Sequence, residues 1–290
     1  MSLVLNSVRI AACFALLLSF ASLSAADPWE TDYSTAVRKA TAEKKMLLLY
    51  FADASVPATT EAAWFADATT VKSLTSYILL KVPTTAELAT AEGSTRLLSH
   101  SAFAEMQGSA GFSIVDYTNE KSLYFGQVIS VYPFRIAGIP AAYHLNLLLT
   151  LPQGTLTQRT LILAVRLHPE GPASTTTGDF DPELAAEAES HAQHQANIRV
   201  QGHHSWESRF HRISGRLSSR RGGSWAPVEV CAESWPGQGL FDSAVECVHS
   251  WRQSSGHWSA VRSSQSAYAY DMKRGSNGTW YAAGIFGNFR

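Results

Sequence analysis

Met46 to Ala52 reads MLLLYFA, and this unbroken apolar run constrains the fold more than any other stretch. Such a run reads as a strand buried on both faces, which requires helices packed over the sheet that contains it. The flanking pattern supplies them. Asp32 caps a helix predicted through about Lys44, with Ala36, Val37 and Ala40 as its apolar stripe. A helix is expected around Thr60 to Phe65, a strand at YILLKVP from Tyr77, and a short helix around Thr95 to Met106. GFSIVDYTN and LYFGQVISVYP follow as a strand pair, with a helix near Ala141 to Leu149. Strands alternating with helices make this half an α/β layer structure.

The segment before it reads as an export signal. Arg9 gives a positive start, Ile10 to Leu23 is largely apolar, and Ser24-Ala25-Ala26 offers the small residues of a cleavage site. The mature chain is expected to begin at Asp27, secreted or periplasmic, with no stable membrane span after signal cleavage. A net charge of −1, 46% apolar and 16% charged residues describe a globular chain with a sizeable core. They leave no basic excess to attract nucleic acid.

LPQGTLTQ, Leu151 to Gln158, marks a seam: Pro152 and Gly154 break the pattern, and Thr155 with Gln158 forms a capping-box signature. The expected division is residues 27–151 and 152–290. In the second half, Leu156, Leu161, Ile162 and Val165 suit one helical face, with Arg159 and Arg166 left to solvent. Asp181 and Pro182 open an alanine-rich helix to about Asn197. GHHSWESRF and a Gly/Ser/Arg-rich loop come next. VEVCAES, Val228 to Ser234, would as a strand send Glu229, Cys231 and Glu233 to one face. A helix over about Phe241 to Gln253 precedes a turn at Gly256 and His257. Asn277-Gly278, between aromatic-rich arms, predicts a two-residue hairpin turn, which also accounts for the Asn-Gly-Thr sequon.

Seven of the ten histidines fall between His191 and His257, so any histidine chemistry belongs to the second half. Glu229, between two valines on a buried strand, needs a partner. His203 and His204 cannot both face one site if extended, and His191 with His194, three apart on a helix, could bridge a metal or form a mixed polar face. Only Cys231 and Cys247 follow the leader; in an exported chain they invite one disulfide, with two buried thiols or Cys231 as a soft metal ligand as the alternatives. No His-Glu-x-x-His helix occurs.

In the first half, EKKMLLLYFADASVPAT and the element order resemble the thioredoxin-like fold. Asp53 to Ala58, where that fold carries its Cys-x-x-Cys pair, has no cysteine, and Ser109-Ala110-Gly111 replaces the proline before the third main strand. The resemblance implies the fold without a dithiol redox centre. The second half, Pro152 to Arg290, resembles the secreted CAP superfamily of cysteine-rich secretory, antigen-five and pathogenesis-related proteins. The resemblance rests on LAAEAESHAQHQA, a following histidine, VEVCAES, WRQSSGH and a closing hairpin, in that order. It makes His168 to Glu183 an internal loop, and it implies an α-β-α sandwich with a cleft of two histidines and acidic residues able to hold a divalent metal such as zinc.

Carried over, the resemblance makes His257 the histidine after the Gly and Glu229 the family's Gly-Glu-Asn glutamate, here within Val228-Glu229-Val230. His204 or its neighbour His203 takes the other histidine position. The family's second glutamate has no direct counterpart, and Glu233 or Glu246 would substitute. Two imidazoles and a carboxylate could bind an ion, or the carboxylate could orient a histidine as general base. The plainer alternative is that His257 caps the helix before it. The expected function is thus binding of a metal or ligand (a small molecule, lipid, peptide or cell-wall component) in this cleft. A hydrolase using His257, Glu229 and His204 is one alternative, and an interaction module acting through the first half is the other.

Overall fold

The structure, a computed structural model, describes residues 28–90, 93–170 and 174–289. The expected leader, residues 1–26, and the mature start at Asp27 lie outside the described residues. The chain opens with β1 (Trp29–Glu30) and α1 (Tyr33–Glu43). Asp32 accepts from the Thr35 amide at 2.7 Å, and Lys44 ends the helix in the left-handed region. β2 (Met46–Ala52) follows, then α2 (Ala58–Ala66), α3 (Ala68–Leu74) and β3 (Tyr77–Pro83). Where one short helix was expected, β4 (Glu87–Thr90) and β5 (Gly93–Arg96) pair as a hairpin and two 3₁₀ turns run from Leu97 to Met106. β6 (Gly111–Val115), β7 (Val128–Pro133), α4 (Phe134–Ala137) and α5 (Ala142–Leu149) complete this half. Its sheet has the order β1-β3-β2-β6-β7, with β1, β3 and β2 parallel and β6 and β7 antiparallel. The apolar run thus becomes a central strand, with Leu47 to Phe51 fully buried.

Beyond the seam come α6 (Leu156–Leu167), β8 (Asp179–Phe180), α7 (Pro182–Ile198), α8 (Trp206–Arg221) and β9 (Trp225–Glu233). Then follow α9 (Leu240–Gln253), α10 (Ser255–Arg262), β10 (Ala267–Arg274) and β11 (Trp280–Phe289). The second sheet has the order β8-β10-β11-β9. Leu184, Ala188, Ile213 and Leu217 of α7 and α8 pack on Ala267, Ala269 and Ile285 on one side. Leu161, Ala244, Val248 and Trp251 of α6 and α9, with Val261 of α10, meet Val230, Ala232, Met272 and Phe286 on the other. The result is an α/β chain whose second sheet lies between two helical layers.

Two helices depart from the expected loops. α8 occupies the Gly/Ser/Arg-rich stretch: Ser214, Gly215, Ser218 and Ser219 are poor helix formers, but Ile213 and Leu217 bury one face. Its arginines fasten it to α7, with Arg212 bonded twice to Glu187 at 2.6 and 2.9 Å, Arg216 to Glu183 at 2.6 Å and Arg221 to Asp181 at 2.6 Å. α10 replaces the turn at Gly256 and His257; the corner lies two residues before Gly256, at the extended Ser254. The β10–β11 turn is also longer than expected, since Arg274 pairs with Trp280 and residues 275–279 form the loop, with Gly278 at φ +80.

No strand of one sheet pairs with the other, and the Leu151–Gly154 seam falls between them, yet the apolar core continues across. α6 packs against both β7 and β10, so it has no solvent face. Arg159, expected in solvent, is therefore fully buried. Its Nε donates to Ser130 Oγ at 2.6 Å and its Nη1 to the Leu151 and Pro152 carbonyls at 2.9 and 2.5 Å, tying the seam to β7. Burial lowers its pKa to about 10, which still leaves it charged at neutral pH. The Leu240 amide at the start of α9 donates to Glu105 Oε2 of the first half at 2.9 Å. Among the described residues no helix is long and apolar enough to cross a membrane.

Candidate functional site

β9 is an edge strand, and its alternation sends Glu229 and Cys231 to the α7/α8 side while Val230 and Ala232 enter the opposite core. Glu229 is nearly inaccessible, its side chain 1% exposed. A buried carboxylate needs charge and hydrogen bonds around it. Arg209, on the first turns of α8, donates Nη2–H to Oε2. His203 Nδ1 lies 3.1 Å from Oε1, and His191 Nε2, from α7, stands 3.6 Å from the same oxygen. Burial pushes the Glu229 pKa up, but the His203 and Arg209 hydrogen bonds, then the nearby His191 ring and the Arg209 charge, outweigh it, so the net shift is downward.

The loop between α7 and α8 decides which histidine joins Glu229. Arg199 and Ser205 both take left-handed backbone, and Gly202 has φ +156 with His204 Nε2 only 3.2 Å from where a Cβ would stand. This sharp path turns successive side chains apart. His203 faces Glu229 and continues to His257, their Nε2 atoms 3.2 Å apart and rings 5.4 Å apart. His204 turns back towards α7, its Nε2 3.2 Å from the Val200 carbonyl and its ring beside those of His191 and His194. The histidine that joins Glu229 and His257 is thus His203, and His204 stands outside the group.

An ionised Glu229 accepting from His203 Nδ1–H leaves Nε2 of that ring with a lone pair. His257 Nε2–H is then the donor, and the three side chains form a directed chain that runs from the buried Glu229 through the half-exposed His203 to His257. Burial, and then the cost of placing a second charged ring against His203, lowers the His257 pKa, so its ring is neutral near pH 7. His257 sits in the first turn of α10, which points it at the loop rather than back onto α9 as a cap.

The other expected members are elsewhere. Glu233 is exposed at the end of β9 and Glu246 lies on α9; among the described residues neither bonds to His203, Glu229 or His257. Their charges act on Cys247 instead, whose pKa is raised first by burial. Cys231 and Cys247 are both free thiols. Cys231 faces His203, its Sγ 3.7 Å from Nδ1, whereas Cys247 packs with Val230 and Ala232 on the far side, so the sheet separates the pair. Burial and the Glu229 charge hold Cys231 well above the usual thiol range, as a thiol rather than a thiolate.

Two further residues join the site. Arg209 carried no expected role there, only its spacing from His204. His191, expected to bridge a metal with His194 or to lie on a mixed polar face, also carries a signal of its own: Leu184, Ala188, His191 and Gln195 form one buried stripe on α7, and a polar ring on such a stripe requires a partner. It finds the Gly202 carbonyl at 2.9 Å, and burial lowers its pKa to about 4. His191, Glu229 and Cys231 have donor atoms within 4.8 Å of one another and could together hold a metal ion. Comparison of the chain with protein-family models, curated proteins and solved structures gives no match.

Proposed function

We propose that this chain is an exported binding protein that holds a divalent metal ion, zinc by its donor chemistry, or a small polar ligand between His203 and His257 in the cell envelope or outside the cell. The carrying observation is the 3.2 Å separation of the two Nε2 atoms with Glu229 behind His203. Two imidazole nitrogens bound about 2.0–2.1 Å from a tetrahedral ion stand roughly 3.3 Å apart, so the donor pair fits. Glu229 fits the outer carboxylate that fixes the ring and tautomer of a metal-binding histidine. An ion there would polarise a bound water or ligand oxygen. The protein's own part is to orient His203, to keep His257 neutral so that its proton can move to Nδ1 and free Nε2, and to balance the buried charge with Arg209.

The layered second half and the order of its elements support reading it as CAP-like. The β1-β3-β2-β6-β7 order supports a thioredoxin-like first half that lacks dithiol chemistry and serves as a packing or interaction module. A second reading, a His/Glu general base acting on a hydrolysable ligand, is favoured by the same Glu229–His203–His257 chain. Zinc titration of the full chain separates the outcomes. His203→Ala and His257→Ala should each abolish one bound equivalent, and Glu229→Gln should weaken it about 10–100-fold. An unaltered equivalent in both alanine variants contradicts metal binding here, and hydrolysis of ester or peptide probes lost in His257→Ala would establish the base reading.

A further inference from the structure

A second group of histidines lies just outside the cleft. A cavity of about 240 Å³ between α7 and the start of α8 is lined by His191, His194, His204, Ser190, Ser208 and Arg209 among others. The His194 and His204 rings are 5.5 Å apart, and His191 lies 6.3 and 6.2 Å from them. We infer that this cavity is a separate, outer site for a first-row transition-metal ion of the imidazole-preferring class, Ni²⁺, Cu²⁺ or Zn²⁺, held by His194 and His204 with His191 as the third ligand.

Backbone carbonyls fix the tautomers of two of these rings. His191 Nε2 meets the Gly202 carbonyl at 2.9 Å and His204 Nε2 meets the Val200 carbonyl at 3.2 Å. A carbonyl only accepts, so each ring carries its proton on Nε2 and leaves Nδ1 as a bare lone pair. A ring that donates its far N–H to a backbone carbonyl has the arrangement found behind metal-bound histidines. His194 is exposed, and its side chain makes ring contacts to His191 and His204 but no hydrogen bond among the described residues, so the ring can turn. The three donors are not gathered as tightly as those of His191, Glu229 and Cys231, so the proposed site requires the His194 ring to turn towards His204 on binding.

Charge permits a cation. Arg209 and Arg212 border the cavity, but Glu229 and Glu187 hold one each, leaving the wall balanced. Three imidazoles without a thiolate suit Ni²⁺, Cu²⁺ and Zn²⁺ better than Mg²⁺ or Ca²⁺, which prefer oxygen.

Nothing in this inference uses His203 or His257, so the two sites can be tested apart. NiCl₂ titrated into the full chain by calorimetry should show an equivalent that His194→Ala and His204→Ala each weaken by at least about tenfold, the scale that even outer partners of metal ligands reach. The same equivalent should persist in His257→Ala. Because His204→Ala also removes a loop hydrogen bond, the exposed His194 decides: one equivalent of Cu²⁺ should show nitrogen coupling in its electron paramagnetic resonance spectrum that decreases in His194→Ala. Ni²⁺ binding and Cu²⁺ coupling unchanged in His194→Ala, or nickel binding lost only in His257→Ala, would overturn the outer site.

Discussion

β2 and β9 are each the strand around which one half of the molecule is organised, and they are built on opposite terms. β2 is a central strand whose Leu47 to Phe51 are all buried without a charge among them. β9 runs along an edge and carries Glu229, as inaccessible as a core leucine, beside Cys231. Burial of β2 is its own reward, through transfer of apolar surface and dispersion. Burial of Glu229 costs free energy that Arg209, His203 and His191 must offset. The polar group retained at that cost lies behind the half-exposed His203, where the proposed ligand would be met.

The comparison is sharpest when each strand loses its main support. Arg209→Met should destabilise by about 3–5 kcal/mol near neutral pH, because Glu229 remains buried and unpaired. Leu48→Ala should cost about 2–5 kcal/mol through its cavity. Urea denaturation at several pH values separates them: the Leu48→Ala cost should be flat with pH, while the Arg209→Met cost should shrink in acid as Glu229 takes up a proton. Adding Glu229→Gln to Arg209→Met should recover part of the loss. A pH-independent Arg209→Met would break the contrast.

A somewhat smaller effect concerns His191. Its folded pKa of about 4 lies below the ordinary 6.5, so between these values the unfolded chain binds a proton that the folded chain does not. Stability is therefore full above about pH 6.5 and falls as pH drops towards 4, by about 3 kcal/mol over the window. Glu229, with its lowered pKa, adds to this only below the ordinary carboxylate range. Stability measured from pH 7 to 4 should slope less in His191→Leu than in the native chain; parallel slopes would contradict the assignment. The smallest effects are at helix caps shared by both halves. Asp32→Ala and Thr155→Ala should each cost about 1 kcal/mol, as a small shift in denaturation midpoint without a pH signature in this window.

The same contrast explains what the sequence made legible. Apolar runs and caps announced β2, β3, α1, α6 and α7, because packing and capping are local in chain order. α8 was hidden because its arginines answer acids on α7 and only Ile213 and Leu217 speak for a core. Arg159 was misplaced because α6 lies between two sheets, a fact no single helix pattern encodes. Glu229 and His257 were readable as residues wanting partners. The choice of His203 over His204 depends on the left-handed turns at Arg199 and Ser205, and the separation of Cys231 from Cys247 depends on which side of the sheet α9 packs.

The most direct test follows the histidine ring nitrogens by NMR during a zinc titration of the His194→Ala chain, in which the outer site is silenced. The account predicts a His203 ring protonated at Nδ1 before zinc is added, and Nε2 signals of His203 and His257 that shift together and saturate at one equivalent. A His203 ring protonated at Nε2 instead, or zinc that moves one of these two rings while the other stays put, would contradict it.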